Sequence, residues 1–375
     1  FQTINNPLSF EIEVNGNLSG SHAGDLILTD DQKTYIYTPS QTFTPGEKVY
    51  VEIHINLPDT CESIQYSFTT SETKKDEKLI YENNMDFFHI RERVPQAETF
   101  GQMSMINGVS VPSDFPSLDI EILDKTATGR IFVCNSGSPP YLLIFENDGT
   151  PYFYKRLPEV SLDFKLHTSC TMTRWGSEYD NSFIELDSNY AIIDTLNCKY
   201  GYLTDAHDIQ ILPNGHTFLI GRDIQIMDMS QLVEGGDPNA IVIGMIIQDI
   251  DREDNVVFEW RSWYHFNILD ANHIIHTSGR IDYVHMNAIA LDYDDNILIS
   301  SRNLSEVTKI DRQTGDIIWR LGGNNNQFQF INDEYGISYQ HDIRPVPEKP
   351  DPYTLFDNGN YRDPLFSRAI EFKLD

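Results

Sequence analysis

Three histidines recur at equivalent places in the chain, in Ala206-His207-Asp208-Ile209, Val284-His285-Met286-Asn287 and Gln340-His341-Asp342-Ile343. Imidazole exchanges a proton near neutral pH, so each ring is a donor when charged and a base when neutral. Arg302 follows the second copy and adds a permanent positive charge with a planar fork of donors. Together they make a cationic site suited to an anionic group. Each histidine leads into apolar residues that run toward a turn, so one repeated unit presents its histidine at the same place each time. A radial repeat of such units gathers residues far apart in sequence into one pocket.

The elements that would position them are short strands. The segments 129–134, 141–145 and 151–154 alternate or run apolar, with Asn147-Asp148-Gly149 as a hairpin turn. The unit recurs after His207, turned by Pro213-Asn214-Gly215, and after His285, turned by Asp294-Asp295-Asn296. Strand and turn alternate as in a four-stranded propeller blade, and helical periodicity is hardly visible. The last residues, 368–375, read as the middle of a strand, so the expected propeller is partial and lacks one or two terminal blades.

The first seventy residues have a different texture. Period-two alternation broken by Gly, Asn, Asp and Pro predicts six or seven short strands, as in Ser9-Phe10-Glu11-Ile12-Glu13-Val14 and Lys48-Val49-Tyr50-Val51-Glu52-Ile53. This is the pattern of a small β-sandwich, placed at 1–72. Tyr37-Thr38-Pro39, Phe43-Thr44-Pro45-Gly46 and Tyr66-Ser67-Phe68-Thr69-Thr70 resemble bacterial immunoglobulin-like modules, which implies a spacer or a docking module for a surface or secretion-system partner. The charged stretch 71–78 reads as linker, with 73–110 as linker and bridge and 111–375 as the propeller. The fold class is therefore all-β throughout.

Composition narrows the partners. A net charge of −30 argues against nucleic acid and anionic membranes, which need a positive face. It would also repel an anionic substrate unless a local cation cluster reverses the potential. Cys61, Cys134, Cys170 and Cys198 show no CxxC spacing, so neither a zinc knuckle nor a thioredoxin-like motif is supported. Two readings stay open for them: a Cys170–Cys198 disulfide, or free buried thiols. No apolar run is long enough to span a bilayer. The first residues lack signal-peptide features, as a trimmed or a cytoplasmic chain would; the expected location is extracytoplasmic.

Taken in order, Asp205-Ala206-His207-Asp208, Leu212-Pro213-Asn214-Gly215, His285-Met286-Asn287, Ser300-Ser301-Arg302-Asn303, Ile318-Trp319-Arg320-Leu321-Gly322-Gly323, Tyr339-Gln340-His341-Asp342 and Phe356-Asp357-Asn358-Gly359-Asn360 resemble the bacterial aryl-sulfate sulfotransferases from about residue 110 onward. The resemblance implies a six-bladed propeller. It implies transfer of a sulfuryl group from an aryl sulfate donor to an acceptor phenol through a sulfated histidine, without a nucleotide donor. By motif match His341 is the nucleophile, while His207, His285, Asn287 and Arg302 hold the sulfuryl oxygens and handle the phenol's proton. The chemistry suits the residues, because a loose, in-line transfer is served mainly by positioning and electrostatic clamping. Arg302 would also favour the neutral, nucleophilic form of His341.

Neighbouring residues divide by strand geometry. Asp208 and Asp342 follow a histidine, point to the other face and read as turn braces or contacts between blades rather than as residues that orient the histidine. Asn287, two residues from His285, shares its face. Tyr283 and Tyr339 precede His285 and His341 by two and could stack a phenolic substrate. Trp319 and Gly322-Gly323 read as blade packing and turn. His265, His273 and His276 read as a solvated loop, since an odd spacing splits the last two between faces. The acidic stretches 249–254 and 292–296 lack an EF-hand frame, so no cofactor or catalytic metal is expected, structural calcium being the lesser alternative. Two rivals to the transferase remain. One is a non-catalytic surface or secreted propeller that binds a glycan or protein. The other is a hydrolase or lyase on anionic sugars, for which no carboxylate pair is evident.

Overall fold

The computed structural model describes residues 9–28, 35–56, 61–70, 103–116, 118–121, 123–135, 137–176, 181–346 and 352–375. The expected linker at 71–78, and the bridge as far as residue 102, lie outside the described residues. The chain divides into two compact units, Phe1–Arg91 and Glu92–Asp375. Among the described residues every strand belongs to an antiparallel sheet except Arg280–Asp282, which runs parallel to its neighbour, and the helical segments are single 3₁₀ turns.

In the first unit Gly20–His22, Ser9–Gly16, Lys48–Asn56 and Cys61–Thr69 form one sheet in that order, and Gly24–Leu28 pairs with Tyr35–Pro39. Val49, Val51 and Ile53 alternate inward and bury with Val14, which is the period of a half-buried strand.

In the second unit, a hairpin of Met103–Ile106 and Val109–Pro112 precedes five successive up-and-down sheets. The first is Ile131–Cys134, Tyr141–Phe145, Pro151–Arg156. The second is Ser161–Leu166, Met172–Gly176, Ser182–Leu186, Ile192–Leu196. The third is Leu203–Ile211, Thr217–Met227, Ala240–Ile250, Val256–Arg261, joined by Arg280–Asp282. The fourth is Met286–Leu291, Ile297–Ser301, Glu306–Ile310, Ile317–Gly322. The fifth is His341–Pro345, Pro352–Asp357, Arg368–Lys373. The leading strand of each sheet packs beside the leading strand of the next, which is how propeller blades meet at an axis.

Apolar side chains fill the spaces between sheets. Phe218, Val242, Ile247 and Trp260 of the third sheet pack with Ile289, Ile297 and Ile299 of the fourth. The alternate residues Ala288, Ala290 and Leu298 pack with Ile343, Tyr353 and Leu355 of the fifth. Successive residues of one strand thus serve two cores, which explains why these strands are apolar throughout.

The pairing register slips in the leading strand of all three histidine-bearing sheets: between Thr204 and Ile209, between Met286 and Ala288, and between His341 and Arg344. His285, Tyr339 and Asp342 take left-handed backbone conformations with φ of 50°, 54° and 58°. Bulges of this kind re-aim side chains and end regular pairing. They break the ladder at or beside each histidine: His207 falls within its slip, His285 stands just before its strand, and His341 is the last paired residue ahead of its slip.

Candidate active site

The histidines from three sheets converge. The His207 ring centroid lies 4.9 Å from that of His285 and 6.3 Å from that of His341. Each ring is held through Nδ1, which leaves Nε2 for chemistry. Asp205 Oδ1 accepts from both the backbone N–H of His207, at 3.1 Å, and its Nδ1, at 2.5 Å. Asp282 does the same for His285, with Oδ1 3.0 Å from the backbone nitrogen and Oδ2 2.8 Å from Nδ1. His341 differs: its Nδ1 faces Asn358 Oδ1 at 2.6 Å and the Tyr339 carbonyl at 3.2 Å. A carbonyl only accepts, so Nδ1 carries the hydrogen and Nε2 carries the lone pair.

These partners set different electrostatics. Burial pulls the His207 pKa down, but the charge and hydrogen bond of Asp205 outweigh it, and the imidazolium is favoured. The His341 pKa is lowered, by burial above all. The Asn358 hydrogen bond opposes that shift, and the charges of His207, His285 and Arg302 add to it. Arg302 was expected to be the charge that keeps His341 neutral; it contributes, but removal of the ring from water is the larger cause. Asp205 is itself fixed as a carboxylate: despite burial its pKa falls well below the ordinary range, because His207 and Arg222 surround it. Arg222 reaches Asp205 Oδ2 through Nε at 2.9 Å and Nη2 at 2.8 Å.

Arg302 is tied in by its backbone, whose N–H donates to the His285 carbonyl at 3.0 Å. Its guanidinium lies 4.1 Å over the Tyr339 ring and donates to Asn303 Oδ1 at 2.8 Å. Among the described residues no carboxylate forms an ion pair with it, so its charge stays available to an anion. Asn287 is buried; its Nδ2 donates to the Gln340 carbonyl at 2.8 Å, and its Oδ1 has no partner. It therefore steadies the residue before His341 with one N–H and keeps the other.

The two tyrosines do not form a substrate platform. Tyr283 is fully buried in the core between the third and fourth sheets, with its hydroxyl 2.8 Å from Ser262 Oγ. Tyr339 is 3% exposed and donates to the Asn272 carbonyl at 2.9 Å. The two-residue face rule fails here because left-handed backbone at His285 and Tyr339 breaks the alternation. Asp208 is the brace expected of it. Its buried carboxylate pairs with Lys165 of the second sheet and Arg344 of the fifth, and accepts from Ile289 N–H of the fourth at 2.7 Å. Asp342 pairs with Arg344 at 2.8 Å.

Sequence reasoning missed Asp205, Asp282 and Asn358 as partners. The first two carry a local signal, a carboxylate two or three residues before a histidine; Asn358 lies 17 residues from its ring and carries none. His265 stacks on Trp260, His273 on Tyr361, and His276 Nε2 donates to the Ile268 carbonyl. They do not converge, and among the described residues no group of three or more His, Cys, Asp or Glu side chains could hold a metal. Cys134, Cys170 and Cys198 are free thiols, which corrects the Cys170–Cys198 alternative and removes a disulfide as an argument for an oxidising compartment. No helix among the described residues is long and apolar enough to cross a membrane. A separate cleft of about 340 Å³, lined by Glu185, Asp194, Lys199 and Asp251 among others, contains none of the three histidines.

Residues 119–375, which include all three histidines, Arg302 and Asn358, match the family described as Arylsulfotransferase (ASST). The chain belongs to the arylsulfotransferase family. The match does not reach the first unit's sheets, which remain outside the family assignment. No curated protein matches the chain. Among solved structures, it is similar to a protein of unknown function from Bacteroides caccae at 10% identity and a TM-score of 0.37, covering 63% of this chain and 65% of that one. The chain thus spans just under two thirds of that structure. It is also similar to a catalytically inactive virginiamycin B lyase from Staphylococcus aureus with quinupristin, at 12% identity and a TM-score of 0.33, covering 66% of this chain and 85% of that one. A streptogramin B lyase is similar at 10% identity and 0.34, covering 98% and 88%. None of these likenesses bears on what this arylsulfotransferase-family chain does.

Proposed function

We propose that the protein transfers a sulfuryl group from an aryl sulfate ester to an acceptor phenol, in two steps through His341. The observation that carries this reading is the unequal support of three neighbouring imidazoles: an amide on His341 and carboxylates on His207 and His285. Environments that push like groups apart in pKa assign the base and the acid.

In the first step the lone pair of His341 Nε2 attacks sulfur, the N–S bond forms and the bond from sulfur to the aryl oxygen breaks. His341 becomes an N-sulfonated imidazolium whose Nδ1–H stays on Asn358 and the Tyr339 carbonyl. The departing oxygen takes a proton from Nε2 of protonated His207, so that a phenol leaves. In the second step neutral His207 takes the proton of the acceptor phenol, whose oxygen attacks sulfur while the N–S bond breaks. Every proton and electron pair is returned. Arg302 and His285 stabilise the charge spread over the peripheral sulfuryl oxygens, as preorganised donors do in phosphoryl transfer.

The test is incubation with a chromogenic aryl sulfate and phenol. Release of the donor phenol in step with formation of phenyl sulfate is expected. Release without a sulfated acceptor would make the protein a sulfatase, and no release from the folded chain would reject the reading.

A further inference from the structure

Tyr361 is 52% exposed, yet the turn that carries it is fixed at both ends. At one end Asn358 holds His341 Nδ1, and the Gly359 N–H donates to the Ser338 carbonyl at 3.0 Å. At the other, Arg362 is buried, paired with Asp357 and bonded to the Gly336 carbonyl at 2.7 Å. The Tyr361 ring stacks on exposed His273, with centroids 3.6 Å apart and planes 10° from parallel. It also meets the Tyr339 ring edge-on at 4.9 Å, the same ring on which the Arg302 guanidinium lies. His273 is equally well anchored: Asn272 donates to the Asn303 carbonyl at 2.7 Å, beside Arg302, and its own carbonyl receives the Tyr339 hydroxyl. Two rigid, solvent-facing rings therefore stand next to an arginine with no carboxylate partner among the described residues.

We propose that the His273–Tyr361 pair is the aryl subsite, the surface on which the ring of an aryl sulfate or phenol lies while its oxygen reaches the histidines. This rests on the sulfuryl-transfer reading and names the substrate surface of that site. An aryl sulfate is a flat ring with an anion at one end, and the site offers the outer faces of two stacked rings, one of which touches the tyrosine ring that carries the Arg302 cation. Offset stacking and edge contacts recognise any phenol ring without reading its substituents, which gives broad acceptance of phenols. Nonaromatic alcohols lack the π-face and gain nothing from this surface.

The experiment measures equilibrium binding of two probes, 4-nitrophenol (ring without sulfuryl) and inorganic sulfate (sulfuryl charge without ring). It compares the full chain with Tyr361→Ala, Tyr361→Phe and His273→Ala. The alanine variants should bind 4-nitrophenol roughly 3- to 10-fold more weakly and Tyr361→Phe within about twofold of the parent, with sulfate affinity unchanged in all. Both rings are exposed, so folding should survive, and unchanged sulfate binding confirms that it has. Undiminished 4-nitrophenol binding in both alanine variants would overturn the proposal, as would parallel loss of sulfate. The pattern stands without turnover: ring-dependent binding with no sulfuryl transfer would keep the aryl subsite and reject the transfer chemistry, and transfer with ring-independent binding would do the reverse.

Discussion

Asn358 Oδ1 lies 2.6 Å from Nδ1 of His341, in the place where His207 and His285 each have a carboxylate. An amide orients the ring and fixes its tautomer without adding a negative charge that would favour the imidazolium. Asp205 orients His207 equally well and does favour it. Amide in place of acid thus separates His341, the proposed nucleophile, from His207, its proposed acid.

The pH dependence of transfer follows from this contrast. In the proposed transfer His341 acts neutral, and its pKa is lowered from 6.5; His207 acts protonated, and its pKa is raised from 6.5. The productive pair therefore predominates in a window that straddles 6.5, and kcat/KM should be bell-shaped, with His341 protonation forming the acid limb and His207 deprotonation the alkaline limb. Asp205→Asn removes the charge that raises His207, so the alkaline limb should move to lower pH while the acid limb stays. Asn358→Asp adds a charge beside His341 and should move the acid limb up, lowering the rate near pH 6. A profile whose limbs ignore both substitutions would reject these assignments.

Asp208 joins strands of four sheets: its own, and those carrying Lys165, Ile289 and Arg344. Its removal leaves Lys165 with Asp163 alone, Arg344 with the exposed Asp342 alone, and a buried N–H without an acceptor. Asp208→Ala is expected to cost about 3–5 kcal/mol of unfolding free energy, read by denaturant titration. A loss below about 1 kcal/mol, the usual size for an exposed ion pair, would show that the brace is not part of what holds the sheets together.

The thiols should label in order of exposure. Cys170 is exposed, whereas burial pushes Cys134 up to about 11 and Cys198 up to about 12. The thiolate is the reactive form, so an alkylating reagent at pH 8 should modify Cys170 in the native protein and reach Cys134 and Cys198 only after denaturation. Peptide mapping checks this, and native labelling of Cys198 would contradict its burial.

Much of the molecule was legible in its sequence for a physical reason. Blade strands are short, apolar and bounded by Asn, Asp and Gly turns, so the sheets around His207 and His285 could be read from local pattern alone. The histidines could be grouped because each sits at the same point of a repeated unit. The tyrosines could not be placed, because the two-residue face rule assumes regular strand backbone, and φ of 50° at His285 and 54° at Tyr339 removes that regularity. Asn358 stands in one of the resembling motifs, but its pairing with His341 depends on two strands meeting across a loop, which no local spacing encodes. Tyr361 was hidden for the same reason, and its partner His273 read as part of an ordinary loop.

The central claim is a covalent sulfuryl group on one named nitrogen. Mixing the protein with an aryl sulfate in the absence of acceptor, quenching at alkaline pH and mapping peptides by mass spectrometry measures it directly. A sulfuryl adduct on His341 is expected, discharged by adding phenol and absent in His341→Ala. A folded, transfer-competent protein that carries no adduct, or carries it on another residue, would contradict the assignment of His341 as nucleophile.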